Sequence, residues 1–328
     1  MTTPFNIVIV AQAGRLAFES LLFLASLRAA DIAFSGRVFV AIPTKNDRWS
    51  RNPAVTDQAI LDLYAGYGAE VIHFENNHFG QSYAHGNKIE CLAALPKGEP
   101  FIFFDTDTLV LGPLSDLPFD FDKPSASMKR GPTWPEPELY HAGYAEIWGA
   151  LYARFGLDFA ASQDETRDPS DWQRYLYFNA GWFYGACPVA FGERFTQYAV
   201  EVRDHAPDEL VAQSLDPWLD QVVLPLVIHS FRGGRPNPDI ARLDDDVTCH
   251  WRALPLLYAS RNDRTIAFLE TIVQPNKLKK VLRTYEPFLQ IIWKKQGLKA
   301  QSIFPEGIDG MSERIVRNRL KAADLWMR

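Results

Sequence analysis

The sequence predicts an α/β protein with a Rossmann-like, mostly parallel β-sheet, flanking helices and a C-terminal helical extension. Over the first 110 residues, short apolar runs typical of buried strands alternate with segments of helical periodicity. Such alternation favours parallel strands that are joined by right-handed crossovers. Beyond residue 258 the remaining periodic segments are helical. We therefore divide the chain into an α/β domain at residues 1–258 and a basic helical extension at residues 259–328.

Composition limits the classes of protein to which the chain can belong. It has 328 residues, of which 47% are hydrophobic, enough for a large packed core. Its net charge of −6 argues against nucleic-acid binding, and three widely spaced cysteines suggest neither a disulfide scaffold nor a zinc site. The apolar run at residues 5–11 is too short for a signal peptide, and no run approaches the ~20 residues of a membrane span. We expect a cytoplasmic protein.

The elements of the first part follow one another regularly. Segments dominated by Val, Ile and Phe predict strands, at residues 5–11, 36–43, 68–74 and 101–104. Segments with apolar residues at helical spacing predict helices, at residues 16–30, 55–67 and 87–95. Ligands of parallel sheets bind at the carboxyl ends of the strands. Ala11, Gln12 and the residues after position 104 should therefore face one crevice.

The pattern is less regular after residue 110. A short strand is predicted at residues 125–129, a polar surface loop at 163–172 and an aromatic segment at 175–184. A further helix should start near Asp220. The other segments with helical periodicity lie at residues 138–155, 191–205, 264–273, 277–282, 288–295 and 312–326.

Two acids one residue apart follow the apolar run at residues 101–104. Burying either charge is costly, so Asp105 and Asp107 should emerge where the strand meets solvent or a ligand. Side chains alternate along a strand, so both carboxylates should point the same way, as one hard divalent cation requires. The pair predicts a metal site that faces a phosphate-bearing substrate. The other interpretation is a turn with two solvated aspartates.

Three segments in this order resemble a known enzyme family. They are Asn87-Lys88 leading to Phe103-Phe104-Asp105-Thr106-Asp107-Thr108-Leu109-Val110, then Tyr177-Phe178-Asn179-Ala180-Gly181, then Asp220-Gln221 with His250 about thirty residues later. Together they resemble the retaining glycosyltransferases of family 8 and their GT-A-fold relatives, over roughly residues 5–255. The resemblance implies a GT-A-type fold and transfer of a hexosyl group from a nucleotide-sugar, with a UDP-sugar favoured.

The same resemblance implies a metal site. Asp105, Asp107 and His250 would bind a divalent ion, usually Mn²⁺ with Mg²⁺ as the alternative, which grips the diphosphate. A hard ion offsets the charge on a departing nucleoside diphosphate, and imidazole suits Mn²⁺ better than Mg²⁺. Asp105 would also reach the ribose. Further contacts to the nucleotide-sugar are expected from residues spread along the chain, namely Ala11, Gln12, Lys88, Thr106, Gly181 and Arg252.

The catalytic residues implied by the resemblance are Asn179, Asp220 and Gln221. Asn179 offers a donor and an acceptor together, and the Ala-Gly step that follows lets a sugar ring approach the backbone. Each residue also has a structural interpretation. Asn179 could belong to a tight turn, Asp220 could cap a helix, and His250 could be a satisfied core or surface histidine.

The sequence departs from the family pattern at two places. The family's Gly and Lys after the late histidine, which contact the phosphates, are absent, because Trp251-Arg252-Ala253-Leu254 follows His250. Arg252 would have to take over that contact. The family's Asn shortly after Asp-Gln is also absent, since residues 222–225 read Val-Val-Leu-Pro.

Functions from other classes use similar motifs. In haloacid-dehalogenase-type phosphatases Asp105 would be the nucleophile, Asp107 the acid/base and Asp245-Asp246 the late acidic pair. That motif normally follows a first strand, whereas three strands precede it here. A nucleotidyltransferase would need a Gly-rich basic loop after the first strand. Residues 12–15 match this only in part, with one glycine and one arginine. A carbohydrate-binding protein without catalysis is the remaining alternative.

The extension carries an unusual charge. From Lys277 to the end there are twelve Lys or Arg and five acids, so the rest of the chain carries a net charge of −13. In one interpretation its basic amphipathic helices contact an anionic membrane. In the other they pack on the catalytic domain and expose basic faces.

The acceptor is expected to be a carbohydrate or a lipid-linked molecule. Aromatic faces commonly support sugar rings, so residues 179–184 are the predicted platform over which the acceptor enters. The polar loop at residues 163–172 is the candidate lid, whose closure would exclude water and limit hydrolysis.

Overall fold

The central sheet begins with four parallel strands, as the sequence predicts. A computed structural model describes residues 4–131 and 133–327 of the chain. The strands are β1 (Asn6–Val10), β2 (Val38–Pro43), β3 (Ala69–Phe74) and β4 (Phe101–Phe104), in the spatial order β3-β2-β1-β4. Ile9 lies opposite Phe104 in the ladder, so β1 and β4 end side by side. This register places the residues after both strands at one edge of the sheet.

Antiparallel strands complete the architecture. They are β5 (Thr108–Val110), β6 (Ala126–Ser127), β7 (Asn179–Gly185) and β8 (Thr248–His250). β7 pairs with β4 and β6 pairs with β7, which extends the sheet to six strands. β5 and β8 form a separate two-stranded ribbon in which Thr108 lies opposite His250. The ribbon therefore joins distant parts of the chain just beyond β4.

Helices cover both sides of the sheet. In chain order they are α1 (Arg15–Ala30), α2 (Gln58–Gly66), α3 (Asn87–Glu90), α4 (Tyr144–Arg154), α5 (Pro188–Asp204), α6 (Leu219–Ser230), α7 (Pro238–Ala241), α8 (Leu254–Ala259), α9 (Asp263–Ile272), α10 (Asn276–Leu282), α11 (Glu286–Phe288), α12 (Gln296–Ile303) and α13 (Glu313–Ala322). A π-helical segment, Leu289–Trp293, follows α11, and short 3-10 segments occur in the loops. The predicted α/β class with a helical extension is confirmed.

The hydrophobic core has two layers, one on each face of the sheet. Alternation along β1 sends Ile7 and Ile9 to one layer and Val8 and Val10 to the other. The first layer contains α1, α2 and the extension, and the second contains α4, α5 and α6. The extension therefore packs on the same face as α1. The predicted boundary at residue 258 falls inside α8.

Several predicted elements have different bounds. The strand expected at residues 125–129 is confined to β6, and the helix expected at 138–155 starts at Tyr144, where the Glu146 carboxylate accepts a bond from the Gly143 N–H. The helix expected at 87–95 has one α-helical turn, α3, and then a 3-10 turn. Three helices, α7, α8 and α12, were not predicted.

The proposed aromatic platform for the acceptor is wrong. Every residue of β7 is buried, and Trp182, Phe183 and Tyr184 are at most 3% exposed. Phe183 stacks on Phe103 at 4.8 Å between ring centroids. These rings form the core because β7 is a central strand that is covered on both faces.

Within residues 4–131 and 133–327, no helix combines the length and the apolar character that are needed to cross a membrane.

Helix α6, which carries Asp220 and Gln221, is tied to α4 near its end. The hydroxyl of Tyr152 lies 2.9 Å from Nδ1 of His229 and can donate to it when the imidazole is neutral. Burial, with a smaller effect of the nearby Arg235, lowers the pKa of His229 to about 4, and Asp158 opposes this shift weakly. His229 is therefore neutral in the folded protein over a pH range in which it is charged after unfolding.

We predict that His229 makes the protein sensitive to acid. The pKa of His229 is lower in the folded state than its ordinary value of about 6.5. The contribution of neutral His229 to folding stability is therefore fully present above pH 6.5 and is lost as the pH falls toward 4. His229→Gln should reduce the loss of unfolding free energy between about pH 7 and pH 5 by about 1–2 kcal/mol. Urea titrations of both proteins at each pH measure this difference. Identical pH dependence of the two proteins would contradict the assignment.

Candidate active site

A cleft of about 650 Å³ lies at the carboxyl ends of β1 and β4. Its lining comes from distant parts of the sequence and includes Gln12, Arg15, Lys88, Asp105, Thr106, Asp107, Arg130, Asn179, Asp220, Gln221, His250, Arg252, Glu313 and Arg317. Most of the residues predicted for the site are therefore brought together. A second, more open groove of about 910 Å³ is lined by residues between Phe74 and Glu201 and contains none of the predicted site residues.

Three potential metal ligands converge in this cleft. One ligand atom each of Asp105, Asp107 and His250 lies within 4.8 Å of the others. His250 Nε2 lies 3.1 Å from Asp107 Oδ1 and 4.0 Å from Asp105 Oδ2. Two carboxylates and an imidazole suit Mn²⁺ and similar divalent ions, so the residues present fit such a metal.

The local backbone explains how these ligands meet. β4 ends at Phe104, so Asp105 and Asp107 lie in a turn between β4 and β5. The Asp105 N–H donates to the Gly181 carbonyl at 2.8 Å, and the Trp251 N–H donates to the Asp107 carbonyl at 2.9 Å. Both acids face the same side, as predicted. Their alignment comes from a turn that β7 and the segment after β8 hold in place, whereas the prediction relied on the alternation of a continuous strand.

Lys88 is a buried cation between two carboxylates of the cleft. Its Nζ lies 3.0 Å from Asp105 Oδ1 and 3.2 Å from Asp220 Oδ2, and it donates to the Ala180 carbonyl at 3.1 Å. Burial alone would lower the pKa of Lys88, but the attraction of both carboxylates outweighs it and raises the pKa above its ordinary value. Lys88 thus links Asp105, one of the three potential metal ligands, to the start of α6.

Asp220 is held by a second buried partner. The Tyr83 hydroxyl donates to Asp220 Oδ1 at 2.6 Å and accepts from the Asp220 N–H at 2.9 Å. Burial and the adjacent Asp220 carboxylate raise the pKa of Tyr83, so the phenol keeps its proton. On the next position of α6, Gln221 accepts a bond from the Tyr177 hydroxyl at 2.9 Å. Both side chains are fixed before any ligand binds.

Asn179 and Gly181 support the site from β7. The Asn179 amide donates to the Lys129 carbonyl at 3.0 Å and its oxygen accepts from the Gly181 N–H at 3.1 Å. A Cβ atom at Gly181 would lie 2.6 Å from His250 Nδ1. The absence of a side chain at position 181 therefore makes room for the imidazole ring of His250.

The other predicted contacts have different surroundings. Gln12 lines the cleft and accepts a bond from Asn87 Nδ2 at 3.2 Å. Ala11 is completely buried and does not belong to the residues that line the cleft. Thr106 is also buried, and its hydroxyl donates to Glu19 at 3.3 Å.

The extension contributes side chains that the sequence analysis did not assign to the site. Arg252 Nη1 donates to Glu313 Oε2 at 2.7 Å, and Arg317 donates to the other carboxylate oxygen of Glu313. Glu313 and Arg317 lie on one face of α13, four residues apart. No local signal could identify them, since only the docking of α13 brings them to the cleft.

Basic residues of the cleft wall were also missed. Arg15 Nη1 contacts Glu19 at 2.8 Å and lies 3.8 Å from Asp107 Oδ2. Its position directly after the Gly14 turn was the available signal. The Arg130 guanidinium stacks over the rings of Trp172 and Tyr177, and burial lowers the pKa of Arg130 to about 10. Trp172 ends the predicted lid loop, so this contact joins the loop to the cleft.

We predict that Gly181→Ala weakens divalent-metal binding. The added methyl group must displace His250, which removes one ligand while the carboxylates remain. The affinity for Mn²⁺, measured by electron paramagnetic resonance, should fall roughly tenfold or more. Gly149→Ala is the matched control, because its Cβ would make ordinary contacts of 3.6 Å with Phe159. Unchanged Mn²⁺ affinity in Gly181→Ala would exclude His250 as a ligand.

Solved glycosyltransferase structures are similar to this chain at low sequence identity. The galactosyltransferase LgtC in complex with donor and acceptor sugar analogues is 14% identical, with a TM-score of 0.47, over 83% of this chain and 97% of that one. An active-site mutant of LgtC is 14% identical, with a TM-score of 0.43, over 71% and 73%. The bifunctional glycosyltransferase WbbM is 15% identical, with a TM-score of 0.38, over 72% and 38%. No curated protein sequence matches the chain.

A family model covers more than half of the chain. The Rhodobacterales glycosyltransferase domain matches residues 7–232, from β1 to the end of α6. The matched range includes Lys88, Asp105, Asp107 and Asp220, whereas His250 lies beyond it. The match confirms the prediction of a glycosyltransferase. This chain belongs to the Rhodobacterales glycosyltransferase domain family.

Proposed function

We propose that this enzyme transfers a hexosyl group from a nucleotide-sugar, with a UDP-sugar favoured, to a carbohydrate or lipid-linked acceptor, and that it depends on a divalent metal. The observation that carries the proposal is the convergence of Asp105, Asp107 and His250 in a cleft that also holds Asp220 and Gln221. Family membership supports the reaction class. The GT-A-type site implied by the sequence motifs supports the donor class.

The proposed metal is Mn²⁺ or Mg²⁺, held by Asp105, Asp107 and His250. When bound, it would supply positive charge that stabilises the leaving nucleoside diphosphate. Because imidazole is one of the three ligands, Mn²⁺ is the preferred ion. Asp105 also lies within reach of Lys88, so its carboxylate is shared between the metal position and a buried cation.

Side chains on the cleft wall are the proposed direct contacts to the donor. Gln12 lies two residues after β1 and Arg252 two residues after β8, and both line the cleft that holds Asp105, Asp107 and His250. Ala11 and Gly181 support the donor indirectly in this proposal, since both are buried and neither lines the cleft. Thr106 lines the cleft although it is mostly buried, so it is kept as a proposed contact to the donor. Lys88 positions Asp105 and Asp220, and its charge also lowers the negative potential that a diphosphate would meet.

Asp220, Gln221 and Asn179 are the proposed catalytic residues. Asp220 presents a carboxylate that Tyr83 and Lys88 hold in one orientation. Positive charge develops on the transferred sugar in glycosyl transfer, and a fixed carboxylate stabilises it without reorganisation. Gln221 adjoins Asp220 on α6, and Asn179 lies near Gly181 and His250, so all three can face the sugar.

The alternative functions fit the cleft less well. A phosphatase of the haloacid-dehalogenase type would need a late acidic pair in the same cleft as Asp105. Its late acidic pair, Asp245-Asp246, does not line the cleft. A nucleotidyltransferase needs a basic, Gly-rich loop, whereas Gly14 and Arg15 simply start α1. Family membership favours the glycosyltransferase over both.

The extension packs against the catalytic domain. Val316 and Leu320 of α13 are almost completely buried in the same core layer as α1. This packing supports the second interpretation of the basic extension. Peripheral contact of its exposed basic residues with an anionic membrane stays a prediction, as does a cytoplasmic location.

A thermal-shift panel tests the proposed function. UDP-, GDP-, ADP- and CMP-sugars are compared with and without Mn²⁺. A ligand present at a hundred times its Kd adds about 2.7 kcal/mol to the unfolding free energy. We expect a UDP-sugar to raise the Tm by several degrees when Mn²⁺ is present and to leave it unchanged when Mn²⁺ is absent.

Asp107→Ala should abolish this shift and metal-dependent turnover while leaving the fold intact, as checked by circular dichroism. The matched control is Asp120→Ala, which removes an exposed carboxylate outside the cleft. Unchanged turnover in Asp107→Ala, or no shift with any nucleotide-sugar, would refute the proposed site.

A further inference from the structure

Helix α13 extends the wall of the active-site cleft. Glu313, its first residue, and Arg317, one turn later, line the cleft together with Arg252. Val316 and Leu320 on the adjoining face are 1% and 0% exposed, which fixes the helix in the core. The site is therefore formed by both the α/β domain and the extension.

The Glu313 carboxylate lies between two guanidinium groups. Arg252 Nη1 donates to one of its oxygens at 2.7 Å, and Arg317 Nη2 donates to the other. Partial burial alone would raise the pKa of Glu313, but the hydrogen bonds from both arginines outweigh it and lower the pKa. An anion of this chain thus occupies the point where two cleft arginines converge.

These arginines have no second acidic partner in the described part of the chain. Glu313 is the only acidic side chain there within salt-bridge distance of either one. Glu313 takes one nitrogen of each guanidinium group, Nη1 of Arg252 and Nη2 of Arg317, so both groups keep further N–H donors. Paired guanidinium groups with unused N–H donors suit the several oxygens of a phosphate group.

We propose that Arg252 and Arg317 form a phosphate-binding pair for the nucleoside diphosphate, and that Glu313 competes with the phosphate for it. The inference rests on the proposed function and adds the extension to the donor site. Arg252 follows His250 by two residues, and both arginines line the cleft that holds Asp105, Asp107 and His250. The pair would replace the Gly and Lys of the family 8 pattern, which are missing after His250.

The exchange of Glu313 for a phosphate is energetically reasonable. The side chains of Arg252, Arg317 and Glu313 are 46%, 41% and 30% exposed, and ion pairs with this exposure contribute little net stability. A diphosphate carries more negative charge than one carboxylate and interacts more strongly with two arginines. Donor binding can therefore displace Glu313 without unfolding α13, which Val316 and Leu320 still anchor.

A purely structural salt bridge predicts a different result. If Glu313 only ties α13 to the segment after β8, its removal weakens the fold and does not improve nucleotide binding. If it competes with a phosphate, its removal improves binding of diphosphates alone. Nucleosides, which lack the phosphates, separate the two interpretations.

Isothermal titration calorimetry of the full chain with Mn²⁺ tests the proposal. UDP, GDP, ADP and CDP are compared with their nucleosides, on the wild type, Glu313→Gln and Arg317→Met. We expect Glu313→Gln to tighten diphosphate binding severalfold and Arg317→Met to weaken it roughly tenfold or more. Nucleoside affinities should not change. Arg314→Met, which removes an exposed arginine from the same helix, should match the wild type.

Each result decides between the interpretations. The phosphate pair would be overturned if Glu313→Gln and Arg317→Met bound diphosphates as tightly as the wild type. It would also be overturned if Glu313→Gln bound them more weakly. Both results would leave the proposed function intact. A wild type that binds no nucleoside diphosphate would overturn the proposed function as well. If Arg317→Met does not fold, Arg252→Met, which removes the more exposed arginine of the pair, replaces it and is judged by the same ratio of diphosphate to nucleoside affinity.

Discussion

The buried ammonium group of Lys88 is the interaction on which the candidate active site depends. It contacts Asp105 at 3.0 Å and Asp220 at 3.2 Å, and only 8% of its side chain is exposed. Without it, two carboxylates would repel each other in surroundings of low polarity. Loss of one partner from a buried pair leaves an uncompensated charge, at a cost of about 3–5 kcal/mol. Lys88 therefore joins the edge of β4 to the start of α6 and fixes both acids in one cleft.

The antiparallel half of the fold supplies the rest of the geometry. β7 lies beside β4 and bonds to the Asp105 N–H, and the β5–β8 ribbon brings His250 next to Asp107. Gly181 leaves room for the imidazole where these strands meet. A parallel sheet alone would place the acids at an open edge. The added strands close that edge around Asp105, Asp107 and His250.

The predictable part of the fold and site follows from local patterns. Apolar runs that alternate with helical periods identified the four parallel strands, and the acids after residues 101–104 identified the edge at which the candidate site lies. The burial of residues 182–184 was not predictable, because aromatic residues suit both a buried strand and an exposed sugar platform. The contact of Glu313 with Arg252 was also not predictable, because it depends on how a distant helix docks. Motif spacing alone could not show that Lys88 bridges two carboxylates.

The most direct test of the account is the position of Mn²⁺ in a crystal soaked with MnCl₂ and UDP. Anomalous scattering at the manganese edge locates the ion independently of any assumption about its ligands. The proposed metal site predicts one strong peak within coordination distance of Asp105, Asp107 and His250, next to the UDP diphosphate. A UDP molecule bound elsewhere, or a manganese peak that none of these side chains reaches, would contradict it.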